Sequence, residues 1–251
     1  MPPLLIDPHC HLLPGIDDGS RNIETTLALL RKEQEDGVQA VVFTPHFYYE
    51  RMTLESFAAN RQAAYRATAA ACKQAGLRVA GRLGAEVYFS PGLLSLDLRQ
   101  LAFAGTNYLL VELPTTFQPG GIGEVLFAIQ QRGFTPILAH VERYPYVTED
   151  PTLLYQWVSA GALAQINASS LIRSGQTAKM LQKYIRWNLV HLLASDAHSV
   201  DHRPPNLKDG YKALPPQAAR RFMKNGEQVF WGNPLVPPEP VEPQYRFGQW
   251  N

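Results

Sequence analysis

Short runs of apolar and β-branched residues alternate along the chain with longer segments that carry apolar residues at helical spacing. Several of the short runs are continuously apolar, which is typical of parallel strands buried on both faces. Seven strands are predicted on this basis, at Leu4–Asp7, Ala40–Thr44, Val79–Glu86, Tyr108–Leu113, Thr135–Ala139, Leu163–Ile166 and Val190–Ala194. The chain therefore repeats a strand–helix unit over most of its length.

Helical patterns fill the intervals between most of these strands. Five helices are predicted, over Ile23–Asp36, Leu54–Ala75, Ile122–Gln131, Thr152–Ser159 and Thr177–Trp187. Glycines follow several of their ends, where a left-handed capping residue is common. The repetition predicts an α/β fold, a closed or nearly closed β/α barrel in one domain over residues 1–251. The prolines after Gly232 indicate a surface tail without regular structure from about residue 233.

Composition narrows the classes of function. In a chain of 251 residues, 45% hydrophobic content supports one large core, and a net charge of +1 gives no bulk electrostatic basis for binding nucleic acid. No apolar run reaches the roughly 18 residues of a membrane span, so no membrane insertion is expected. The N-terminal residues lack the basic and apolar regions of a signal peptide. Two cysteines are too few for a disulfide framework, so a reducing, cytoplasmic location is expected.

Imidazole and carboxylate side chains recur where the predicted strands end, and in a β/α barrel these ends share one mouth. The candidates are His9, His11, Asp18, His46, Glu86, Glu112, His140, Asp196 and His198. Alternation along an extended segment puts the first two histidines on one side. Mixed imidazole and carboxylate ligands suit zinc, manganese or iron. The set exceeds what one ion needs, so two or three divalent ions are expected.

Two histidines and one asparagine are not assigned to the expected metal centre. His191 and His202 break the strand-end pattern and are expected to have ordinary structural roles. The sixth predicted strand offers only Asn167, to which no role is assigned.

Two arginines lie close in sequence to the candidate ligands. Arg143 follows His140 by three residues, and Arg203 follows His198 by five. Because guanidinium binds phosphate oxygens in a bidentate fork, both are candidates for phosphate binding.

Cys72 and Arg78 have the Cys-x5-Arg spacing of cysteine-based tyrosine phosphatases. However, Cys72 falls near the end of a predicted helix, so a catalytic phosphate loop is not expected there.

Six segments carry a resemblance to a known family: residues 9–19 (HCHLLPGIDDG), 44–46 (TPH), 84–86 (GAE), 111–114 (VELP), 139–144 (AHVERY) and 195–198 (SDAH). In this order they resemble the polymerase and histidinol phosphatase (PHP) superfamily. They are most similar to its bacterial capsule-regulating tyrosine phosphatases, of the CpsB and YwqE type. The resemblance covers residues 7–203, about four-fifths of the chain.

The resemblance implies a distorted seven-stranded barrel of the PHP type and a metal cluster, usually described with Mn²⁺, for which Fe, Zn or Mg are alternatives. It assigns the nine residues above as metal ligands, and Arg143 and Arg203 as phosphate-binding groups. It also implies hydrolysis of phosphotyrosine on a cognate bacterial tyrosine autokinase that controls exopolysaccharide or capsule synthesis. Residues 165–170 and the proline-rich tail depart from the family pattern, which leaves the partner open.

The expected reaction is direct attack on phosphorus by a water that the ions activate, without a covalent phosphoenzyme. Three alternatives remain. A histidinol-phosphate phosphatase, or another small-molecule PHP phosphoesterase, would use the same metal site. An amidohydrolase would often have a bridging lysine at the end of strand four, where this chain has Glu112. A metal-stabilised scaffold without catalysis is the alternative of another class.

Overall fold

The computed structural model describes residues 3–251, which form a curled parallel sheet surrounded by helices. The strands are β1 Ile6–Cys10, β2 Ala40–Phe43, β3 His46–Phe47, β4 Ala80–Leu83, β5 Glu86–Tyr88, β6 Tyr108–Glu112, β7 Thr135–Leu138, β8 Leu163–Asn167, β9 Leu192–Ala194, β10 Tyr245–Arg246 and β11 Gln249–Trp250. The helices are α1 Ile23–Glu35, α2 Leu54–Ala75, α3 Ile122–Gln131, α4 Pro145–Glu149, α5 Thr152–Ser159, α6 Ala168–Ile172, α7 Gln176–Arg186, α8 Leu207–Ala213 and α9 Pro216–Trp231. The α/β class is confirmed, and none of the helices described here is both long and apolar enough to span a membrane.

The predicted count of seven strands is not confirmed, because the ladder is interrupted in two places. The strands pair in parallel as two sheets, in the orders β1-β2-β4 and β3-β5-β6-β7-β8-β9. Pro45, which has no N–H to donate, separates β2 from β3, and Gly84 lies in the break between β4 and β5. Two backbone bonds continue across these breaks, from Gly84 N to the Phe43 carbonyl (2.8 Å) and from Glu86 N to the Pro45 carbonyl (3.1 Å).

β1 lies at one edge of the first sheet and β9 at one edge of the second, and backbone hydrogen bonds join these two edges. The Asp196 N–H donates to the His9 carbonyl (3.0 Å), and the His11 N–H donates to the Ala197 carbonyl (2.9 Å). The end of β1 is thereby tied to the segment that follows β9. As a result, the carboxyl ends of the parallel strands face one common opening.

Four of the α-helices were not predicted: α4, α6, α8 and the longest of them, α9. The last begins with Pro216 in its first turn and ends at Gly232, which adopts the left-handed conformation of a C-cap. Its buried face, which includes Phe222 and Val229, packs against β1 and β9. The proline and glycine at its two ends were the available signal, but no element was predicted between Ala194 and the tail.

The prediction that the proline-rich tail lacks regular structure is wrong for its last residues. β10 and β11 form an antiparallel hairpin whose two central residues, Phe247 and Gly248, both have positive φ, as a type I′ turn requires. Trp250 fixes the hairpin to the body of the protein, since its indole N–H donates to the Glu149 carbonyl (3.0 Å).

His191 has a structural role, as expected, at the start of the last parallel strand. The ring is buried, and its Nδ1 accepts a hydrogen bond from the Ala164 N–H (3.0 Å). Burial, aided by the positive charge of Arg221, lowers the pKa of His191 to about 3. The ring is therefore neutral in the folded protein at neutral pH.

Protonation of His191 predicts part of the protein's sensitivity to acid. The pKa of His191 is about 6.5 in an unfolded chain and about 3 in the folded protein. At a pH between these two values, the unfolded chain binds a proton that the folded protein does not. The free energy of unfolding therefore falls as the pH falls. The slope reaches about 1.4 kcal/mol per pH unit. We expect His191→Asn, which retains an acceptor for the Ala164 N–H, to remove this contribution. Denaturant titrations from pH 8 to pH 5 measure it, with the exposed His202→Asn as the control; equal slopes in all three proteins would contradict the assignment.

Candidate metal centre

His9 and His11 lie on the same side of the chain at the end of β1, as their spacing predicted. Their Nε2 atoms are 3.1 Å apart. The Glu86 Oε2 atom is 3.4 Å from the first and 3.2 Å from the second. Asp196 Oδ1 is 3.5 Å and 3.7 Å from the same two nitrogens. All four residues are buried.

The hydrogen bond made by the Nδ1 atom of each ring determines which ring nitrogen carries the proton. His9 Nδ1 lies 3.1 Å from the Gln165 side-chain oxygen, and His11 Nδ1 lies 2.7 Å from an Asp17 carboxylate oxygen. Both neighbours are acceptors, so each Nδ1 carries the proton and each neutral ring presents a lone pair at Nε2. Two imidazole lone pairs and two carboxylate oxygens therefore converge on one buried point, which is the donor set of a divalent cation.

His46 and His140 extend the centre around the same carboxylate, Glu86. His46 Nδ1 is 3.0 Å from Glu86 Oε2 and 3.8 Å from Glu112 Oε2. His140 Nε2 is 2.8 Å from Glu86 Oε1 and 3.6 Å from Glu112 Oε1. Glu86 thus lies at the middle of the imidazoles, and Glu112 borders it on the side of β6.

Asp18 and His198 complete the cluster on the side of the first loop. Asp18 Oδ1 lies 3.4 Å from both His46 Nε2 and His198 Nε2. Asp18 is also the most accessible of the candidate ligands, since 66% of its side chain is exposed. It therefore lies at the open side of the cluster.

Eight of the nine predicted ligands fall into three groups whose donor atoms lie within 4.8 Å of one another: His11, Asp18, His46 and His198; His9, His11 and Asp196; His46, Glu86 and Glu112. His140 belongs to none of these groups but contacts Glu86 directly. The structure brings all nine predicted residues together, and the groups share His11 and His46. Several donor atoms, including Asp196 Oδ1 and His198 Nε2, are buried without a hydrogen-bond partner among residues 3–251. The residues present fit a cluster of divalent cations.

The ionisation state of Glu86 also indicates that this site favours bound positive charge. Burial opposes its ionisation, but the surrounding imidazoles, His9 foremost, outweigh burial and hold the pKa of Glu86 well below its usual range. At His46, burial favours the neutral ring, yet hydrogen bonds to Asp18 and Glu86 prevail and raise its pKa to about 11. Protons and divalent cations would therefore compete for the same position.

Arg143 and Arg203 both reach the outer oxygen of Asp196. Arg203 Nη2 hydrogen-bonds to Asp196 Oδ2, and Arg143 Nη1 lies 3.6 Å from it. The side chain of Arg203 is 37% exposed and that of Arg143 is 43% exposed. Within residues 3–251, the bond from Arg203 to Asp196 is the only hydrogen bond that either guanidinium donates, so most of their N–H donors are free. The two predicted arginines thus lie beside the cluster, with donors available for an oxyanion.

Asp17 also belongs to the site, although only its neighbour Asp18 was predicted. Besides His11 Nδ1, its Oδ2 accepts a hydrogen bond from the His46 N–H (3.1 Å), and its Oδ1 accepts one from the Gly19 N–H (3.0 Å). Asp17 therefore orients two candidate ligands instead of joining them. The pair of consecutive aspartates was the only signal in the sequence, and it could not say which of the two faces the cluster.

Gln165 was also missed, and it acts together with the unassigned Asn167 on β8. The Gln165 oxygen contacts His9 Nδ1 and accepts a hydrogen bond from the His140 N–H (2.9 Å). Its amide nitrogen donates to Asn167 Oδ1 (2.8 Å), and Asn167 Nδ2 donates to Asp196 Oδ2 (2.8 Å). This chain of hydrogen bonds links three candidate ligands. A glutamine in an otherwise apolar buried strand was the available signal.

Two candidate ligands hold unusual backbone conformations. His140 has φ of 29° and Asp196 has φ of 54°, in a region that residues other than glycine rarely adopt. The hydrogen bonds from the His140 N–H to Gln165 and from the Asp196 N–H to the His9 carbonyl support these conformations. Strained backbone of this kind is common at functional sites.

Neither cysteine has the surroundings of a reactive thiolate. Cys72 lies inside α2, and Gly76, four residues later, caps that helix. Burial raises the pKa of the Cys72 thiol, whereas a nucleophilic cysteine needs a lowered value. The Cys10 thiol points away from its two histidine neighbours, towards the Val42 carbonyl (3.3 Å). The Cys-x5-Arg spacing does not form a phosphate loop.

Fold and site together define an α/β protein with an imidazole–carboxylate centre and an arginine pair at the carboxyl ends of its parallel strands. A profile of the CpsB/CapC family of capsular polysaccharide synthesis proteins matches residues 5–236, and the chain belongs to this family.

Relatives of known name agree over nearly the whole chain. The putative tyrosine-protein phosphatase CapC of Staphylococcus aureus is 29% identical over 255 residues, with 98% of both chains covered. The tyrosine-protein phosphatase YwqE of Bacillus subtilis is 29% identical over 267 residues, covering 97% of this chain and 99% of the relative. A crystal structure from a study of YwqE and of Streptococcus pneumoniae CpsB, described as metal-dependent tyrosine phosphatases, superposes with a TM-score of 0.89 at 26% identity. It covers 96% of this chain and all of that one.

The Gln165 hydrogen bonds predict an effect on metal affinity. We expect Gln165→Leu to weaken Mn²⁺ binding by about 10- to 100-fold, because His9 loses the acceptor that keeps its proton on Nδ1. Gln165→Glu, which retains that acceptor, is the matched variant and should lose less. Competition with a chromophoric chelator measures the affinity, and thermal melts of the metal-free proteins report folding. If the Leu variant binds Mn²⁺ as tightly as the wild type, Gln165 has no such role.

Proposed function

We propose that this protein is a metal-dependent phosphatase that hydrolyses phosphotyrosine on a protein substrate. The observation that carries the proposal is the convergence of buried imidazole lone pairs and carboxylate oxygens next to two arginines with free donors. The names of the relatives, tyrosine-protein phosphatases over their full length, support the same substrate.

The proposed metal ligands are His9, His11, Asp18, His46, Glu86, Glu112, His140, Asp196 and His198. We propose two or three ions, because the shared ligands His11 and His46 join the three groups of donors. We propose Mn²⁺ as the cation, since mixed imidazole and carboxylate ligands suit it. When bound, such ions supply an activated water as the nucleophile and positive charge for the phosphoryl oxygens. The family's place in capsular polysaccharide synthesis supports a cognate bacterial tyrosine kinase, controlling capsule or exopolysaccharide production, as the substrate. We also propose a cytoplasmic location, which the two free cysteines support.

The finer architecture is part of the proposal. If β3 is counted as the continuation of β2, and β5 as that of β4, the parallel strands make a distorted seven-stranded barrel of the PHP type. The backbone hydrogen bonds across both breaks, and those that join the end of β1 to Asp196 and Ala197, support this count. We treat residues 1–251, with the tail from about residue 233, as one domain.

The residues of this chain have separate tasks in the reaction. Asp17 and Gln165 hold protons on the Nδ1 atoms of His11 and His9, which keeps the Nε2 lone pairs available. The Arg143 and Arg203 guanidinium groups hold the non-bridging phosphoryl oxygens and offset the charge that develops in the transition state. A phenolate leaving group, with a pKa near 10, departs without a strong general acid. No covalent phosphoenzyme is needed, since neither thiol lies at the arginine pair.

Activity assays on defined substrates test the proposed function. We expect Mn²⁺-loaded protein to hydrolyse a phosphotyrosine peptide faster than phosphoserine peptide or histidinol phosphate, to lose activity after dialysis against a chelator, and to regain it with Mn²⁺. His140→Ala should lose nearly all activity, whereas the matched control Cys72→Ser should retain it. Full activity of protein shown by elemental analysis to be metal-free would overturn the metal mechanism, and preference for histidinol phosphate would overturn the substrate.

Arg143 provides a test of phosphate binding that is separate from folding. We expect Arg143→Ala to lower kcat/KM on phosphotyrosine peptide by about 100-fold, comparable to the loss of one preorganised donor to the transition state. Arg143→Lys should restore only part, because an ammonium lacks the bidentate fork. Metal content and melting temperature should stay close to wild type. A variant that loses its metal or unfolds would show that Arg143 is structural.

A further inference from the structure

A cavity of about 600 Å³ extends from the arginine pair away from the metal centre. Arg143, Asp196 and Arg203 line its inner end. A phosphate group held by these arginines would fill only a small part of a cavity of this size, which is in the range of sites for larger ligands. The remaining space lies between α6 and the segment that leads into α8, and a larger part of the substrate can occupy it.

The outer walls of the cavity suit a peptide segment. Polar residues line the cavity on both sides, Ser169 and Ser170 of α6 and Asn206 just before α8. Ile172, whose surface is 45% exposed, gives the cavity an apolar patch. Groups that hydrogen-bond to backbone, together with an apolar surface, are what an extended chain requires. Residues 165–170, where the sequence departs from the family pattern, supply part of this wall.

The charge on the outer wall is positive and unpaired. The backbone of Arg173 is fixed by its N–H, which donates to the Ser169 carbonyl (3.2 Å). Its exposed guanidinium makes no ion pair or hydrogen bond with any side chain or backbone group in residues 3–251. Asp209, an acidic residue on the same cavity, forms an ion pair with Lys212 at 2.8 Å and none with Arg173. Asp196 at the inner end is already in contact with Arg203.

We propose that this cavity binds the protein segment next to the phosphotyrosine, and that Arg173 selects an acidic side chain in that segment. The inference rests on the proposed phosphatase function and names the class of protein sequence it acts on. Arg173 is a specificity residue here and takes no part in the chemistry. Because the pair formed would be partly exposed to solvent, its expected effect is moderate, roughly threefold in kcat/KM, and it weakens as salt is added.

The test compares phosphotyrosine peptides that differ only in the residues flanking the phosphotyrosine, with Glu, Gln or Lys on both sides. The measured quantity is the ratio of kcat/KM for the Glu peptide to that for the Lys peptide, within each protein, so that overall changes in activity cancel. We expect the wild type to favour the Glu peptide by roughly threefold, Arg173→Gln to lose the preference and Arg173→Glu to reverse it. The control Arg66→Glu makes the same charge change on the exposed face of α2, away from the cavity, and should keep the wild-type ratio.

The outcomes separate this inference from the proposed function. A wild type that hydrolyses none of the peptides with Mn²⁺ added removes the phosphatase proposal and this one with it. A wild type that hydrolyses all three peptides equally, or a preference for Glu that survives both Arg173 substitutions, overturns the role of Arg173 and leaves the phosphatase intact. Thermal melts of both Arg173 variants establish that a changed ratio belongs to a folded protein.

Discussion

The structure depends on a convergence of hydrogen-bond acceptors inside a buried site. His9 and His11 each direct an Nε2 lone pair to the point approached by Glu86 and Asp196. Without positive charge at this point, the acceptors would repel one another and remain desolvated, which is costly in a protein interior. Either protons or divalent cations must therefore supply the charge. The rest of the fold holds this arrangement in place.

The hydrogen bonds behind the ligands explain how the arrangement is kept. Asp17 and Gln165 bind the far nitrogens of two imidazoles, and Asn167 binds Asp196. Gln165 also supports the unusual backbone at His140. Since these groups lie on the first loop and on β8, elements distant in sequence fix one donor set. A β8 strand that supplies no predicted ligand is thus necessary to the centre.

The arginine pair connects the metal centre to the cavity. Arg143 and Arg203 both contact Asp196, and both line the cavity. The same surface would therefore bind the phosphoryl group and recognise the peptide segment that carries it. This proximity links the reaction to the choice of substrate without a separate docking domain.

The sequence by itself determined much of this protein. Its apolar runs placed the parallel strands to within a few residues, and α2 was predicted with its observed bounds, Leu54–Ala75, because Gly76 marks its end. The strand-end rule identified eight residues that the structure brings together with Asp18 of the first loop, since β/α topology sends all strand ends to one opening.

Tertiary structure alone decided the remaining features. The breaks that split the strands at Pro45 and Gly84 depend on pairing between distant segments, which local propensity does not encode. Whether Asp17 or Asp18 faces the cluster depends on the path of a loop held by long-range contacts. Gln165 acquires its role only where β8 lies beside β7 and reaches His9, 156 residues away in sequence. The unpaired charge of Arg173 likewise depends on which side chains approach it in space, and sequence spacing carries no information about that.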